Sequence, residues 1–283
     1  MEGRLCYMIT TVLKETANKI TVNKLTVGEH TIHAEIVSNS DLVERTFLLV
    51  HDRGLTGRTM HPLASKLLTT FDDIRVVIVD LPYHGKSETG REPSAVTHGE
   101  LEEVMQNLLA ALVVQEVIVG TLHYVGWGVG GALGIYLASE GATLIKELTL
   151  VNTIPSKVGW KTRIKSADDL TENLHKHLAT ETDAYRKTIT PEMEHLVSGN
   201  ETVEAVYFES QPLAYDYVEL LASVHAKTLI FSGSDDVFGG TQVQMDLRGA
   251  ITNAEIVLLK DDNHTLLKPF SVNYLTEVLK RYL

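Results

Sequence analysis

The chain has 283 residues, enough for one large α/β domain with an insertion or for two small domains. Hydrophobic residues make up 44% and charged residues 22%, which is ordinary for a folded globular protein and excludes a disordered chain. The formal net charge of −12 disfavours nucleic acid and anionic membranes as partners, because both would be repelled. We therefore expect a soluble protein that binds no nucleic acid.

The N-terminal segment contains an apolar stretch, residues 5–13, after Arg4. This stretch is too short to span a bilayer and lacks a small-x-small cleavage site, so we predict neither membrane insertion nor secretion. Cys6 is the only cysteine, which rules out an internal disulfide and removes any need for an oxidising compartment. Together these features favour the cytoplasm.

Strand and helix patterns alternate along most of the chain. Residues 24–37 alternate apolar and polar side chains around Gly28-Glu29, which predicts an antiparallel hairpin. Further strands are predicted from short apolar runs, and helices from apolar residues at three- and four-residue spacing. The predicted strands are 46–50, 75–79, 122–125, 147–152, 228–233 and 255–259, and the predicted helices begin near 100, 130 and 271. This order predicts a mostly parallel central sheet.

One long segment interrupts the alternation. Residues 154–226 show helical patterns but no comparable strand pattern. We interpret this segment as a helical cap inserted over the carboxyl edge of the sheet, where open α/β sheets bind ligands. Residues 1–153 and 227–283 would then form the core domain.

Five loops follow the predicted strands in an informative order. They are "HDRG" (51–54), "DLPYHGKS" (80–87), "GWGVG" (126–130), "GSDD" with Asp236, and "DDNH" with His264. In this order they resemble the loops of the α/β-hydrolase superfamily, in which the third loop has the pattern G-x-S-x-G and presents a nucleophilic serine. Here Gly128 stands at the nucleophile position, and a glycine offers no oxygen to attack a carbonyl.

The resemblance also implies roles for the neighbouring residues. His264 matches the catalytic histidine and Asp236 the acid that orients it. The backbone amides of Val129 and Arg53 would form an oxyanion-binding site. Gly126 and Gly130 match the small residues that permit the tight turn.

A narrower resemblance joins the chain to the N-myc downstream-regulated (NDRG-like) family, whose members are regarded as non-catalytic. It rests on "HDRG" (51–54), "GWGVGGALGIYL" (126–137), "LTLVNTIPSKVGW" (148–160) and the C-terminal segment 257–283. The His264-Asp236 dyad departs from that family, which typically lacks it.

Three functional hypotheses follow. The first is a non-catalytic binding or signalling protein, a pseudoenzyme with a small-molecule ligand or a protein partner. The second is a cofactor-free enzyme of hydrolase or lyase type, in which His264 and Asp236 act as a general-base dyad. The third is a Ser-to-Gly variant of an active carboxylic-ester hydrolase.

Other residues receive weaker assignments. Arg53 and Trp127 are candidate ligand-binding residues, although a solvated arginine that pairs with Asp52 and a core tryptophan are the competing interpretations. Tyr83, His84 and His123 are placed near the same edge, as solvated or core residues. The i,i+2 spacing of His175 and His177 disfavours a metal site. A dinucleotide fingerprint at Gly126, Gly128 and Gly131 lacks its usual downstream acid, so no cofactor is predicted.

Overall fold

The computed structural model describes residues 19–52, 55–89, 97–140, 144–156, 215–236, 239–262, 264 and 269–283. Arg53, both residues of the His175/His177 pair and most of the predicted cap lie outside these ranges.

A single twisted sheet organises the described residues. Its strands are β1 (Lys19–Val27), β2 (His30–Ser38), β3 (Arg45–Val50), β4 (Ile74–Val79), β5 (Glu88–Thr89), β6 (Thr121–Trp127), β7 (Ile145–Val151), β8 (Lys227–Gly233) and β9 (Ala254–Leu259). Their order is β1-β2-β4-β3-β6-β7-β8-β9, and the short β5 pairs with β2. The strands from β4 to β9 in the sheet, namely β4-β3-β6-β7-β8-β9, pair in parallel. The pairs β1-β2 and β2-β4 are antiparallel. The predicted mostly parallel sheet with an N-terminal antiparallel hairpin is confirmed.

Helices connect the parallel strands. They are α1 (His61–Thr70), α2 (His98–Val114), α3 (Val129–Ser139), α4 (Gly240–Ala250) and α5 (Pro269–Tyr282), with short 3-10 helices at Gly57–Met60 and Val218–Ser223. Thr97 caps α2, because its side chain accepts a hydrogen bond from the Glu100 amide at 3.2 Å. Within the described residues, we find no helix with both the length and the apolar character that crossing a membrane requires.

The sheet separates two apolar cores. In β3, Leu48 and Val50 face the core formed with α2 and α3, and Phe47 and Leu49 face the core formed with α1 and α5. Side chains alternate between the two faces of a strand, so a strand covered on both sides is apolar at nearly every position. This arrangement leaves the loops at the carboxyl ends of the strands as the place for polar chemistry.

The chain leaves the sheet after β7 and returns to it before β8 at neighbouring points. The Tyr217 amide donates to the Pro155 carbonyl at 2.8 Å, and Ser156 forms a β-bridge with Asp216. These contacts bring residues 155–156 next to residues 216–217. The helical cap over residues 154–226 stays a prediction, because residues 157–214 lie outside the described ranges.

Candidate functional site

The turn between β6 and α3 has a backbone conformation that suits glycine. Gly128 has φ 55° and ψ −116°, in a region that side chains rarely adopt. The glycines on either side are required by space. A Cβ atom on Gly126 would lie 2.4 Å from the Gly130 carbonyl oxygen, and one on Gly130 would lie 2.5 Å from the Val50 carbonyl oxygen. The turn therefore has the tight shape predicted from "GWGVG", with no side chain at its apex.

The carboxylate of Asp52 occupies the space beside Gly128. A Cβ atom built on Gly128 would lie 2.0 Å from Asp52 Oδ1 and 2.5 Å from Asp52 Oδ2. Asp52 Oδ1 accepts a hydrogen bond from the Val129 amide at 2.7 Å. This amide is one of the two predicted oxyanion donors, so in this structure a carboxylate of the protein itself takes the place expected for a substrate oxygen.

His264 lies between two carboxylates. Its Nε2 atom is 2.8 Å from Asp52 Oδ2, and its Nδ1 atom is 3.0 Å from Asp236 Oδ1. The histidine, Asp52 and Asp236 are all buried. Since a carboxylate only accepts hydrogen bonds, a proton on each ring nitrogen satisfies both contacts.

The charge state of His264 follows from these contacts. Burial by itself opposes a charged imidazole, but the negative charges and hydrogen bonds of Asp236 and Asp52 outweigh burial and raise the pKa of His264 to about 10. His264 is therefore an imidazolium at neutral pH, a proton donor and not a base. The predicted general-base role requires that Asp52 first move away or lose its charge.

The backbone of His264 is held by two side chains. Trp127 Nε1 donates to the His264 carbonyl at 2.9 Å, and Asn152 Nδ2 donates to the same oxygen at 2.7 Å. Asn152 Oδ1 in turn accepts from Ser232 Oγ at 2.7 Å and from the Gly233 amide at 2.9 Å. Trp127 is 1% exposed and packs in the core with α1 and α5. A ligand-binding role for Trp127 stays a prediction.

Sequence reasoning missed the positions of Asp52 and Asn152. For Asn152 the available signal was a polar residue directly after the apolar strand β7. For Asp52 the signal was a pair of departures, an acidic residue after His51 where most hydrolases have glycine, and a glycine where they have serine. The two departures stand far apart in the chain, and only the structure brings them into contact.

The loop that carries Asp52 is fixed by His51. The Leu81 amide donates to His51 Nε2 at 3.0 Å, and His51 Nδ1 lies 2.6 Å from the Asp52 carbonyl oxygen. Burial lowers the pKa of His51 to about 4, so the ring is neutral and can accept at one nitrogen while it donates at the other. Burial and the neighbouring His51 lower the pKa of His84 to about 3.

His123 does not belong to the site, contrary to the prediction that placed it near this edge. It lies at the start of β6, at the amino end of the strand, and its Nε2 atom is 2.7 Å from Thr149 Oγ1. Tyr83 and His84 do lie in the turn after β4, on the side of Asp52. The position of Arg53 is outside the described ranges.

The donor set does not suggest a metal or a dinucleotide. Among the described residues, no three His, Cys, Asp or Glu side chains are grouped so as to hold a metal ion. At the N-terminus of α3, where a dinucleotide would place its phosphates, the Val129 amide already binds the Asp52 carboxylate. Two negative groups would compete for this position.

The sequence of this chain is similar to a family model and to a curated relative. Residues 46–185 match the model of a family described as alpha/beta hydrolase fold. A curated relative, the pimeloyl-[acyl-carrier protein] methyl ester esterase of Nitrosospira multiformis, is 23% identical over 245 residues, which are 80% of this chain and 89% of that protein.

Solved structures of two enzymes have the same fold as this chain. An enol-lactonase from Burkholderia xenovorans LB400 superposes with a TM-score of 0.72 at 20% identity, over 92% of this chain and 99% of its own. A bromoperoxidase from Bacillus anthracis superposes with a TM-score of 0.66 at 16% identity, over 93% of this chain and 99% of its own. These proteins are named for three different activities, so the similarity shows the fold and leaves the substrate open.

The narrower NDRG-like resemblance stays a prediction, because the comparisons above support only the broader group. The chain has the alpha/beta hydrolase fold, which the family model matches over residues 46–185 and the solved structures share.

Proposed function

We propose that this protein is an α/β-hydrolase-like pseudoenzyme that binds a small molecule or a protein partner and does not hydrolyse esters through an acyl-serine. The observation that supports this proposal is the carboxylate of Asp52, which stands beside Gly128 and contacts both the Val129 amide and His264. The NDRG-like resemblance of "HDRG" and of the glycine-only turn agrees with it.

Serine-type acyl transfer needs three things at this position. It needs an oxygen nucleophile, a neutral histidine to take the proton, and an amide that is free to bind the developing oxyanion. Gly128 supplies no oxygen. His264, whose pKa is raised to about 10, is already protonated at neutral pH, and the Val129 amide is bonded to Asp52.

The ligand side of the proposal rests on the position of the site. The cluster lies at the carboxyl ends of β3, β6 and β8, where ligands of open α/β sheets bind. The names of the esterase and the enol-lactonase above point to an ester and a lactone as substrates of those proteins, so small esters and lactones are the first ligand class to test. Arg53, Trp127 and Val129 are the proposed ligand-binding residues, and we propose the cytoplasm as the location.

Labelling with a fluorophosphonate probe, combined with a panel of p-nitrophenyl esters, tests this proposal. We expect no adduct and no turnover above that of the His264→Gln variant. A stoichiometric adduct, or turnover that disappears in His264→Gln, would overturn it.

A second candidate is an enzyme without an acyl-serine, and one observation favours it. His264 keeps its hydrogen bond to Asp236 and places its other nitrogen 2.8 Å from Asp52. A proton donor and a carboxylate acceptor side by side suit acid–base chemistry of hydrolase or lyase type, which commonly contributes about 10²- to 10⁴-fold in rate.

Substrate turnover distinguishes this candidate from a binding protein. Lactones and activated carbon acids would be offered to the wild type, Asp52→Asn and His264→Gln. Turnover by the wild type that both variants lose supports an Asp52–His264 acid–base pair. Equal rates in all three proteins reject it.

The third hypothesis, an engineered Ser-to-Gly variant, finds less support. A serine at position 128 would place its Cβ atom 2.0 Å from the present position of Asp52 Oδ1. The serine form would thus need a different arrangement of Asp52, and a single replacement of serine by glycine does not account for the acidic residue in the loop.

A further inference from the structure

Gly128 and Asp52 compete for one volume. Any side chain at position 128 brings its Cβ atom to 2.0 Å from Asp52 Oδ1 and 2.1 Å from Asp52 Cγ. Non-bonded carbon and oxygen atoms do not approach so closely, so the two side chains exclude one another. Asp52 cannot retreat into solvent without giving up its contacts with Val129 and His264, because it is 7% exposed and its loop is fixed by His51.

The Asp52 carboxylate also meets the polar requirements of the site from which a serine is missing. One oxygen faces His264 Nε2 and the other accepts from the Val129 amide. Without this carboxylate, a buried imidazole and a buried amide would lack these partners, and an unsatisfied buried polar group destabilises the fold. Asp52 thus stabilises a turn that has no side chain of its own.

The rest of the arrangement does not depend on Asp52. Asp236 binds the far nitrogen of His264, and Trp127 and Asn152 hold the His264 carbonyl. Gly128 has φ 55° and ψ −116°, at the strand-to-helix turn that in α/β-hydrolases exposes the nucleophilic serine.

From these contacts we infer that Asp52 and Gly128 form an interlock that closes a latent ester-hydrolysing site, so that Asp52→Gly and Gly128→Ser restore hydrolysis only together. Asp52 is then the residue that determines the chemistry of the site. This inference rests on the proposed function, because it assumes that the wild type performs no acyl transfer.

The restored reaction is simple to balance. The hydroxyl oxygen of a serine at position 128 attacks the ester carbonyl, its proton passes to His264 Nε2, and the Val129 amide binds the oxyanion. When the intermediate collapses, the alcohol leaves with the proton from His264. Water then attacks the acyl-serine with His264 as base, and the carboxylic acid is released.

Four proteins and one control test the interlock with p-nitrophenyl acetate, a small activated ester. They are the wild type, Asp52→Gly, Gly128→Ser, the double variant, and the double variant that also carries His264→Gln. We expect the double variant to exceed each single variant at least about 100-fold in kcat/KM, and the added His264→Gln to remove the gain.

Two kinetic results would overturn the inference. In the first, Gly128→Ser alone is as active as the double variant, which would mean that Asp52 does not exclude the serine. In the second, the double variant is silent although circular dichroism and thermal unfolding show it folded, which would mean that no latent site exists. Activity of the wild type itself would instead refute the proposed function, so the two failures are distinguishable.

A measurement independent of turnover covers the case in which serine variants fold poorly. Gly128→Ala should push the Asp52 carboxylate off His264 and lower the pKa of His264, read from its ring proton by NMR. In the Asp52→Gly background the same substitution should leave that pKa unchanged. An equal effect of Gly128→Ala in both backgrounds contradicts the interlock.

Discussion

Two buried histidines at opposite edges of the sheet have pKa values shifted in opposite directions. His264 lies at the carboxyl edge with a carboxylate on each ring nitrogen, and its pKa is raised to about 10. His123 lies at the amino edge, where burial lowers its pKa despite the Glu147 carboxylate 3.3 Å away.

The neighbours explain the difference. Glu147 is the acid that opposes burial at His123, and Arg45 and Lys227 add positive charge that favours the neutral ring. At His264, Asp236 and Asp52 act together against burial. At these two positions the neighbouring charges decide the direction of the pKa shift: two carboxylates, Asp236 first and Asp52 second, outweigh burial at His264, whereas one carboxylate opposed by two cations does not outweigh it at His123.

The largest effect should come from removing that second charge. Asp52→Asn keeps an oxygen for the Val129 amide but presents an amide nitrogen to His264 Nε2, which then accepts and needs no proton. We expect the pKa of His264 to fall by about 1–3 units, measured by NMR titration. Exposed Asp235 offers a matched control, since Asp235→Asn should leave the pKa of His264 unchanged. An unshifted pKa in Asp52→Asn would show that Asp236 alone holds the proton.

The next largest effect, on the free energy of unfolding, should come from Asn152, which holds the backbone of His264. Asn152 has φ 42°, so Asn152→Gly removes the side chain without backbone strain. The loss leaves the His264 carbonyl, Ser232 Oγ and the Gly233 amide with fewer partners, and we expect the free energy of unfolding to fall by about 1–3 kcal/mol in urea denaturation. The exposed Asn253→Gly is the control, expected within about 0.5 kcal/mol of wild type. Equal losses in the two variants would contradict the assigned role.

The charge on His264 also predicts how stability depends on pH. Its pKa in the folded protein, about 10, is above the ordinary 6.5, so the folded state holds one proton more than the unfolded state between these values. The contribution to stability is complete below pH 6.5, falls by about 1.4 kcal/mol per pH unit above it, and is lost as the pH passes 10. The free energy of unfolding of the wild type minus that of His264→Gln should therefore decrease from pH 7 to pH 9. A constant difference would mean that His264 is neutral.

The smallest effect is expected at the other histidine. Glu147→Gln removes the carboxylate that raises the pKa of His123, and burial already keeps this ring neutral. NMR titration should show His123 uncharged at neutral pH in both proteins. The variant also loses the ion pair between Glu147 and Arg45, so we expect the free energy of unfolding to fall by at most about 1 kcal/mol. If His123 instead became charged near pH 7, the contrast between the two edges would fail.

Much of the fold could be predicted from local patterns. The hairpin around Gly28, the buried strands and α2 follow from apolar alternation and helical spacing, and the strand ends shifted by only a few residues. The His264-Asp236 hydrogen bond could also be predicted, because both residues stand in loops whose order resembles that of the α/β-hydrolases. The prediction for His123 is wrong, because this residue lies near the amino end of β6 and the site lies at the carboxyl ends of the strands.

The sequence by itself determined the succession of strands and helices along the chain, the tight glycine turn and the absence of a side chain at position 128. Only the tertiary structure decided what fills that space, because Asp52 meets Val129 across 77 residues and His264 across 212. The protonation of His264 depends on the same contacts, since Asp236 and Asp52 come from different loops at the carboxyl edge. Local patterns report which residues are buried together along one element, whereas the chemistry of this site is set by charges that folding brings together.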